Sequence, residues 1–258
     1  MLKQTLLAFT VLGFAGTAAA ADITNPFFLP EGGHLSSVTS AEFSEDTSKG
    51  SVWNDRAYTK TATEELAFGI VNNLALIGSL EKDWTKYKDR TFGATWKDKN
   101  DLDWTAGLAW NILHCNTKLQ VSSVYGQDDP GVKGTYKYFD TTVKLGYQFK
   151  TWLPYAVFGV HTPVAQTHED RTNRWAYAGK VGVYQGKCGV WALDTGLAVN
   201  FDRQDHSRYL TAEAEASYYL TKNMTVGVYG SYLLDAKEKA GSGDTYGKSV
   251  GARLRLYF

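Results

Sequence analysis

Few residues of this chain are spaced as reacting groups would be. His34-Leu35-Ser36 sets an imidazole and a hydroxyl two apart, on one face of an extended strand, as a hydrolase's base and nucleophile would need. Asp101 and Asp103, and the adjacent Asp205 and His206, are residue types that acid–base peptide hydrolysis would use. Adjacent residues of an extended chain point to opposite faces, so Asp205 and His206 are poorly matched as a couple. The run Thr167-His-Glu-Asp-Arg-Thr172, with His161 and His206, offers metal-binding types, but no two histidines have ligand spacing. Hydrated loop residues are the plainer reading. No phosphate-cradling glycine loop or nucleotide fingerprint occurs. These residues point away from an enzyme, a metal and a cofactor.

The elements that would position any such group begin after a targeting segment. Lys3 supplies a positive n-region, Leu6 to Phe14 an apolar stretch, and Ala18-Ala19-Ala20 a small-residue cleavage site. The apolar run falls short of the roughly 20 residues a membrane-spanning helix needs. Residues 1–20 are therefore expected to be a signal peptide, and fold reasoning starts at Ala21. The composition is rich in 8 Trp, 16 Tyr, 12 Phe and 25 Gly, with only 5 Pro. Lys and Arg number 27 and Asp and Glu 27, so the chain has no electrostatic footprint for nucleic acid.

Period-2 alternation dominates the rest. Leu102, Trp104, Ala106, Leu108, Trp110 and Ile112 share one face, with Asp103, Thr105, Gly107, Ala109 and Asn111 on the other. The same pattern recurs over 139–149, 191–201, 210–220 and 249–258. A soluble sandwich also alternates. However, these runs reach about 10 residues where soluble strands peak near 5–6, and aromatic residues cluster at the ends of the apolar faces. Short connections near 72–73, 114–116, 150–152, 185–189 and 221–223 alternate with long charged ones at 44–56, 86–100, 127–137, 163–173 and 237–245, and a shorter charged one at 202–207. That asymmetry is the pattern of a transmembrane β-barrel with short periplasmic turns and longer outer loops.

Twelve strands are predicted, near 35–43, 57–71, 74–84, 101–112, 117–126, 138–149, 153–162, 174–184, 190–201, 208–220, 224–235 and 247–258, with ten or fourteen as alternatives. The fold class is all-β, a single closed antiparallel transmembrane barrel over 35–258. A periplasmic leader over 21–34 is read as extended. Three elements are weak. The first strand is poorly patterned, 153–162 is apolar on both faces, and Glu64-Glu65 interrupts the alternation of Tyr58–Ile70, suggesting a bulge or a shifted register.

The C-terminus, Gly251-Ala-Arg-Leu-Arg-Leu-Tyr-Phe258, alternates apolar residues and ends on an aromatic. It resembles the C-terminal assembly signal of Gram-negative outer-membrane proteins. The segments Leu66–Leu76 and Tyr219–Val226 resemble the strand–turn–strand units of such porin-like barrels. The resemblance covers the architecture from residue 21 onward and names no subfamily. It implies an outer-membrane location, contact with outer-membrane lipid, and recognition of Leu254, Leu256 and Phe258 by the barrel-assembly machinery. In that setting His34 and Ser36 would lie at the periplasmic start of the first strand, the wrong end for outer-leaflet lipid hydrolysis.

If the apolar faces meet lipid, the lumen carries Lys118 and Gln120, Asp140 and Lys144, Arg174 and Lys180, Asp194 and Asn200, Glu213 and Glu215, and Arg253 and Arg255. Both signs are present in near-equal number. They could form paired charges filling a narrow barrel or opposed charged walls biasing the passage of small polar solutes. Twelve strands give a backbone radius of about 12 Å, compatible with either. Frequent inward Gly and Ala, such as Gly107, Gly146, Gly182, Gly196 and Gly251, favour open space or else serve curvature. Replacing Glu213 and Glu215 with Gln is expected to shift ion selectivity towards anions. The other function expected is a non-conducting structural or adhesion barrel working through its outer loops. Cys115 and Cys188 fall in turns about a third of the circumference apart, beyond the ~7 Å Cα limit for a disulfide, and are expected to stay thiols.

Overall fold

Alternation of lipid-facing and lumen-facing side chains lets each strand satisfy its backbone sideways while presenting an apolar face outward. The computed structural model describes residues 22–49, 54–89, 95–97, 101–128, 136–165, 175–202, 207–237 and 244–258. The strands are β1 (Leu35–Lys49), β2 (Asn54–Val71), β3 (Leu74–Asp89), β4 (Thr95–Lys97), β5 (Asp101–His114), β6 (Thr117–Asp128), β7 (Tyr136–Tyr147), β8 (Trp152–Ala165), β9 (Ala176–Lys187), β10 (Trp191–Asp202), β11 (Ser207–Thr221), β12 (Met224–Lys237) and β13 (Asp244–Tyr257). Each long strand pairs antiparallel with its sequence neighbours, and β1 pairs with β13, closing a twelve-strand ring. The three-residue β4 pairs with the outer end of β3, outside the ring. The expected signal peptide, the centres of the outer loops, Arg174, 167–172 and Asp205-His206 lie outside the described residues.

The seam is regular from Ser36 opposite Tyr257 to Lys49 opposite Asp244. Beyond it Leu35 donates to the Phe258 carbonyl at 3.1 Å, and the Phe258 amide donates back to Leu35 at 2.8 Å. Both ring termini and the short turns 72–73, 115–116, 148–151, 188–190 and 222–223 share one end. That end is periplasmic in an outer-membrane barrel.

The outer surface carries the apolar side chains. Leu76, Leu80, Leu108, Leu145, Phe158, Val181, Leu197, Val228 and Val250 are all exposed. Aromatic residues mark two rims. Phe43 stacks on Tyr58 at 6.2 Å towards the outer rim, and Trp104, Tyr125 and Phe139 follow one another at 5.7 and 5.4 Å. Tyr147 and Phe149 meet at 4.9 Å near the short turns. Such an apolar band between aromatic girdles is the solvent boundary of a bilayer.

Two expectations are corrected. Glu64 and Glu65 cause no slip: pairing runs unbroken from Leu35 opposite Phe68 to Lys49 opposite Asn54. The irregularity on β2 falls between Gly69 and Val71. Glu65 faces the lumen and Glu64 the opposite way. The leader is not extended either. Residues 22–34 turn repeatedly and enter the periplasmic end of the barrel, where Pro30 is fully buried.

Candidate functional site

The leader forms a plug because its side chains complement the inward face around it. Phe27 is 5% exposed and packs with Leu153, Tyr155, Tyr184 and Ala192, meeting the Tyr155 ring edge-on at 6.3 Å. This explains the apolar inward face of β8. Ile23 packs with Tyr219 and Tyr257, and Phe28 meets Tyr257 edge-on at 5.6 Å. Burying these rings removes apolar area from a lumen that would otherwise hold water.

Polar groups fix the plug at several points of the circumference. Asp22 Oδ1 accepts from Tyr184 at 2.7 Å, Tyr219 at 2.9 Å and Thr24 at 2.9 Å. The Phe27 carbonyl accepts from Asn111 at 3.1 Å and Gln120 at 3.3 Å, and Lys144 donates to the Pro26 carbonyl at 3.0 Å. Against β2, Gly33 donates to the Gly69 carbonyl at 2.8 Å, and Gly69 donates to His34 at 2.9 Å. A Cβ on Gly69 would sit 2.0 Å from the Glu31 carbonyl oxygen, so the backbones approach this closely because residue 69 is glycine.

Above the plug lies a cavity of about 570 Å³, lined by Asn25 and Pro26 of the plug and by Glu65, Lys144, Asp194 and Arg255 of the wall. A second cavity of about 400 Å³ shares Lys180, Asp194, Glu215 and Arg253 with it. These shared residues form a charged belt on β9–β13. Lys180 pairs with Glu213 at 2.9 Å, and Glu215 accepts from Arg253 at 2.6 Å and Arg255 at 2.5 Å. Tyr155 donates to Asp194 at 2.8 Å, and the Arg253 guanidinium lies over Tyr229 at 4.5 Å. The arginines reach Glu215 across β12, where Gly227 presents no side chain: a Cβ there would lie 3.2 Å from Glu215 Oε1.

The wall that continues from the belt, through β1 to β3, is acidic. Glu42 on β1, Glu65 on β2, and Glu81 and Asp83 on β3 face inward. Thr61 donates to Asp83 at 2.6 Å and Thr63 to Glu81 at 3.2 Å. Glu81 also lies in the field of Asp83, Asp103 and Glu42. Sequence reasoning missed this wall because β1 looked poorly patterned and β2 looked interrupted, although period-2 parity alone assigns these carboxylates inward.

The lumen residues anticipated from sequence separate into groups. Lys180, Asp194, Glu213, Glu215, Arg253 and Arg255 come together in the belt, whereas Lys144 holds the plug. Asp140 pairs with His161 at 2.7 Å, and Lys118 stands at the periplasmic rim on the position opposite Gly146. Inward glycines do not simply leave space. A Cβ on Gly251 would fall 2.3 Å from the Tyr229 ring, which occupies that room. His34 stacks on Tyr257 at 5.3 Å and its Nδ1 lies 2.8 Å from the Phe258 carbonyl, so its ring serves the seam. Cys115 and Cys188 are exposed thiols, as expected, and partial burial with the nearby Asp22 carboxylate pushes the Cys188 thiol up.

Several solved structures are similar to this fold. The COG4313 outer membrane channel from Pseudomonas putida F1 superposes with a TM-score of 0.69 at 10% identity, covering 91% of this chain and 98% of that one. The chain folds as an outer-membrane β-barrel. The barrel also resembles the translocator domain of the autotransporter NalP from Neisseria meningitidis, with a TM-score of 0.57 at 13% identity over 88% of this chain and 90% of that one. The NanC porin matches the barrel with a TM-score of 0.53 at 13% identity, over 84% and 98%. No family model and no curated protein matches the barrel's sequence.

Proposed function

We propose that the barrel is a passive channel for small polar solutes, narrowed at its periplasmic end by the plug. The carrying observation is the polar, charge-lined lumen, with two cavities meeting at the charged belt. Channels and porins among the structurally similar barrels support the same reading.

The lumen charge gives the reading a direction. In the belt, Lys180, Arg253 and Arg255 face Asp194, Glu213 and Glu215, so their charges balance. Along the adjoining β1–β3 wall, Glu42, Glu65, Glu81 and Asp83 add negative charge. A low-dielectric tube lined by surplus carboxylates raises the local concentration of cations.

Single-channel recording of the refolded barrel in asymmetric salt tests this. The expected result is discrete conductance with a cation-selective reversal potential. Replacing Glu81 with Gln and Asp83 with Asn moves that potential towards zero. Folded but silent protein, both with and without a displaced plug, would instead favour a structural barrel acting through its outer loops.

A further inference from the structure

Charge is unevenly spread over the outer surface. Across β13, β1, β2 and β3 the pairing sets outward residues in rows. Phe43, Lys60 and Trp84 share a row at the outer aromatic rim, with Ala41, Ala62 and Lys82 in the row beneath. Above the rim lie Lys248, Glu45, Tyr58 and Lys86, and above those Tyr246, Thr47, Arg56 and Lys88. By contrast, the outward positions in the outer halves of β5, β6, β8, β9 and β10 carry no charge among the described residues. Anchoring lysines of a general interfacial belt would ring the barrel. These are gathered in one sector.

Two carboxylates accompany the six cations among the described side chains of this face, and both are engaged. Glu45 pairs with Arg56 at 2.7 Å and with Lys248 at 3.2 Å. Glu64 lies lower, opposite Leu80, and accepts from Ser37 at 2.6 Å and Thr39 at 2.5 Å. Lys60, Lys82, Lys86 and Lys88 have no ion pair among the described residues. Arg56 is held in place, its Nε on Glu45 and its Nη1 donating to Tyr58 at 2.8 Å. It stands directly opposite Lys88, and like charges so placed repel unless an anion lies between them.

We propose that this sector binds a phosphorylated glycolipid of the outer leaflet. Rows at and above the outer aromatic rim stand at the headgroup level, where clustered Arg and Lys make charge-assisted bonds to phosphate. Lys82, one row lower, has a stem long enough to reach that level. Spacing selects among lipids. Lys248 on β13 and Lys86 on β3 are three strand spacings apart, about 14 Å along the sheet. One phosphate cannot bridge them, whereas a headgroup with phosphates at both ends of a disaccharide can. A hollow of about 320 Å³ at the same level is framed by Tyr232, Tyr246, Arg56 and Lys248. Tyrosine rings offer a sugar an apolar face and a hydroxyl partner. The proposal rests on the outer-membrane fold and holds whether or not the lumen conducts.

Native mass spectrometry of the refolded barrel in detergent, titrated with bisphosphorylated lipid A, tests this. One lipid A should bind per barrel, and dephosphorylated lipid A or phosphatidylglycerol should bind at least tenfold more weakly. Arg56→Gln combined with Lys88→Gln should raise the dissociation constant at least tenfold, with heat-modifiable gel mobility retained. Lys137→Gln, on the outward face of β7, should leave it unchanged. A parent barrel that binds no lipid A, equal affinity for the dephosphorylated lipid or for phosphatidylglycerol, displacement by an equal concentration of inorganic pyrophosphate, or equal effects of the substitutions on β2–β3 and on β7 overturns the proposal.

Discussion

Glu215 holds the charged belt together, since two guanidiniums and the Ser217 hydroxyl converge on it. Its side chain is 15% exposed and that of Arg255 12%, so water replaces these partners poorly. Glu215→Gln keeps the shape but removes the charge that both arginines use. We expect unfolding free energy in urea to fall by on the order of 2 kcal/mol, the worth of a charge-assisted bond. We also expect the reversal potential to move towards anions, because Arg253 and Arg255 are left uncompensated. An unchanged urea midpoint would show that lumen water fully substitutes for the carboxylate. Alternation alone was enough to place these residues inward. Their pairing was not legible, because β11 and β13 meet here across β12, where Gly227 clears the way.

At the scale of elements, the plug decides how wide the path is. Residues 22–34 show no periodicity, which is why they read as an extended leader. The missed signal lay on β8, whose apolar residues on both faces demand an apolar partner inside the barrel. Leu153 and Tyr155 find that partner in Phe27. Phe27→Ala removes a ring buried among four residues and is expected to weaken seating of the plug by about 3 kcal/mol, the usual cost of such a truncation. Recordings should then show larger or more frequent openings, while the heat-modifiable mobility of the barrel is unchanged. Identical conductance in the variant and the parent would mean that the plug does not limit flow.

The whole ring was largely legible because turn length alternates and an even strand count puts both ends on one side. Its extents were not. β1 continues to Lys49 and β2 starts at Asn54, well beyond the apolar stretches, because strands rising above the bilayer need no apolar face. Closure rests on β1 meeting β13, and the outermost pair of seam bonds belongs to Phe258 and Leu35. Removing Phe258 deletes both bonds and the terminal aromatic of the proposed assembly signal, Leu254, Leu256 and Phe258. The expected outcome is a several-fold lower yield of folded barrel in cells and a smaller loss in detergent refolding. Equal losses in the two settings would assign the effect to the seam alone.

The plug bears on mechanics as well as on flow. Its contacts fall on β2 at Gly69, β5 and β6 at Asn111 and Gln120, β7 at Lys144, and β9 and β11 at Tyr184 and Tyr219. A segment tied to so many points of a hoop works as a set of spokes. Lateral pressure that would flatten the hoop into an ellipse must stretch these ties, so the plug stiffens the periplasmic rim against such a deformation.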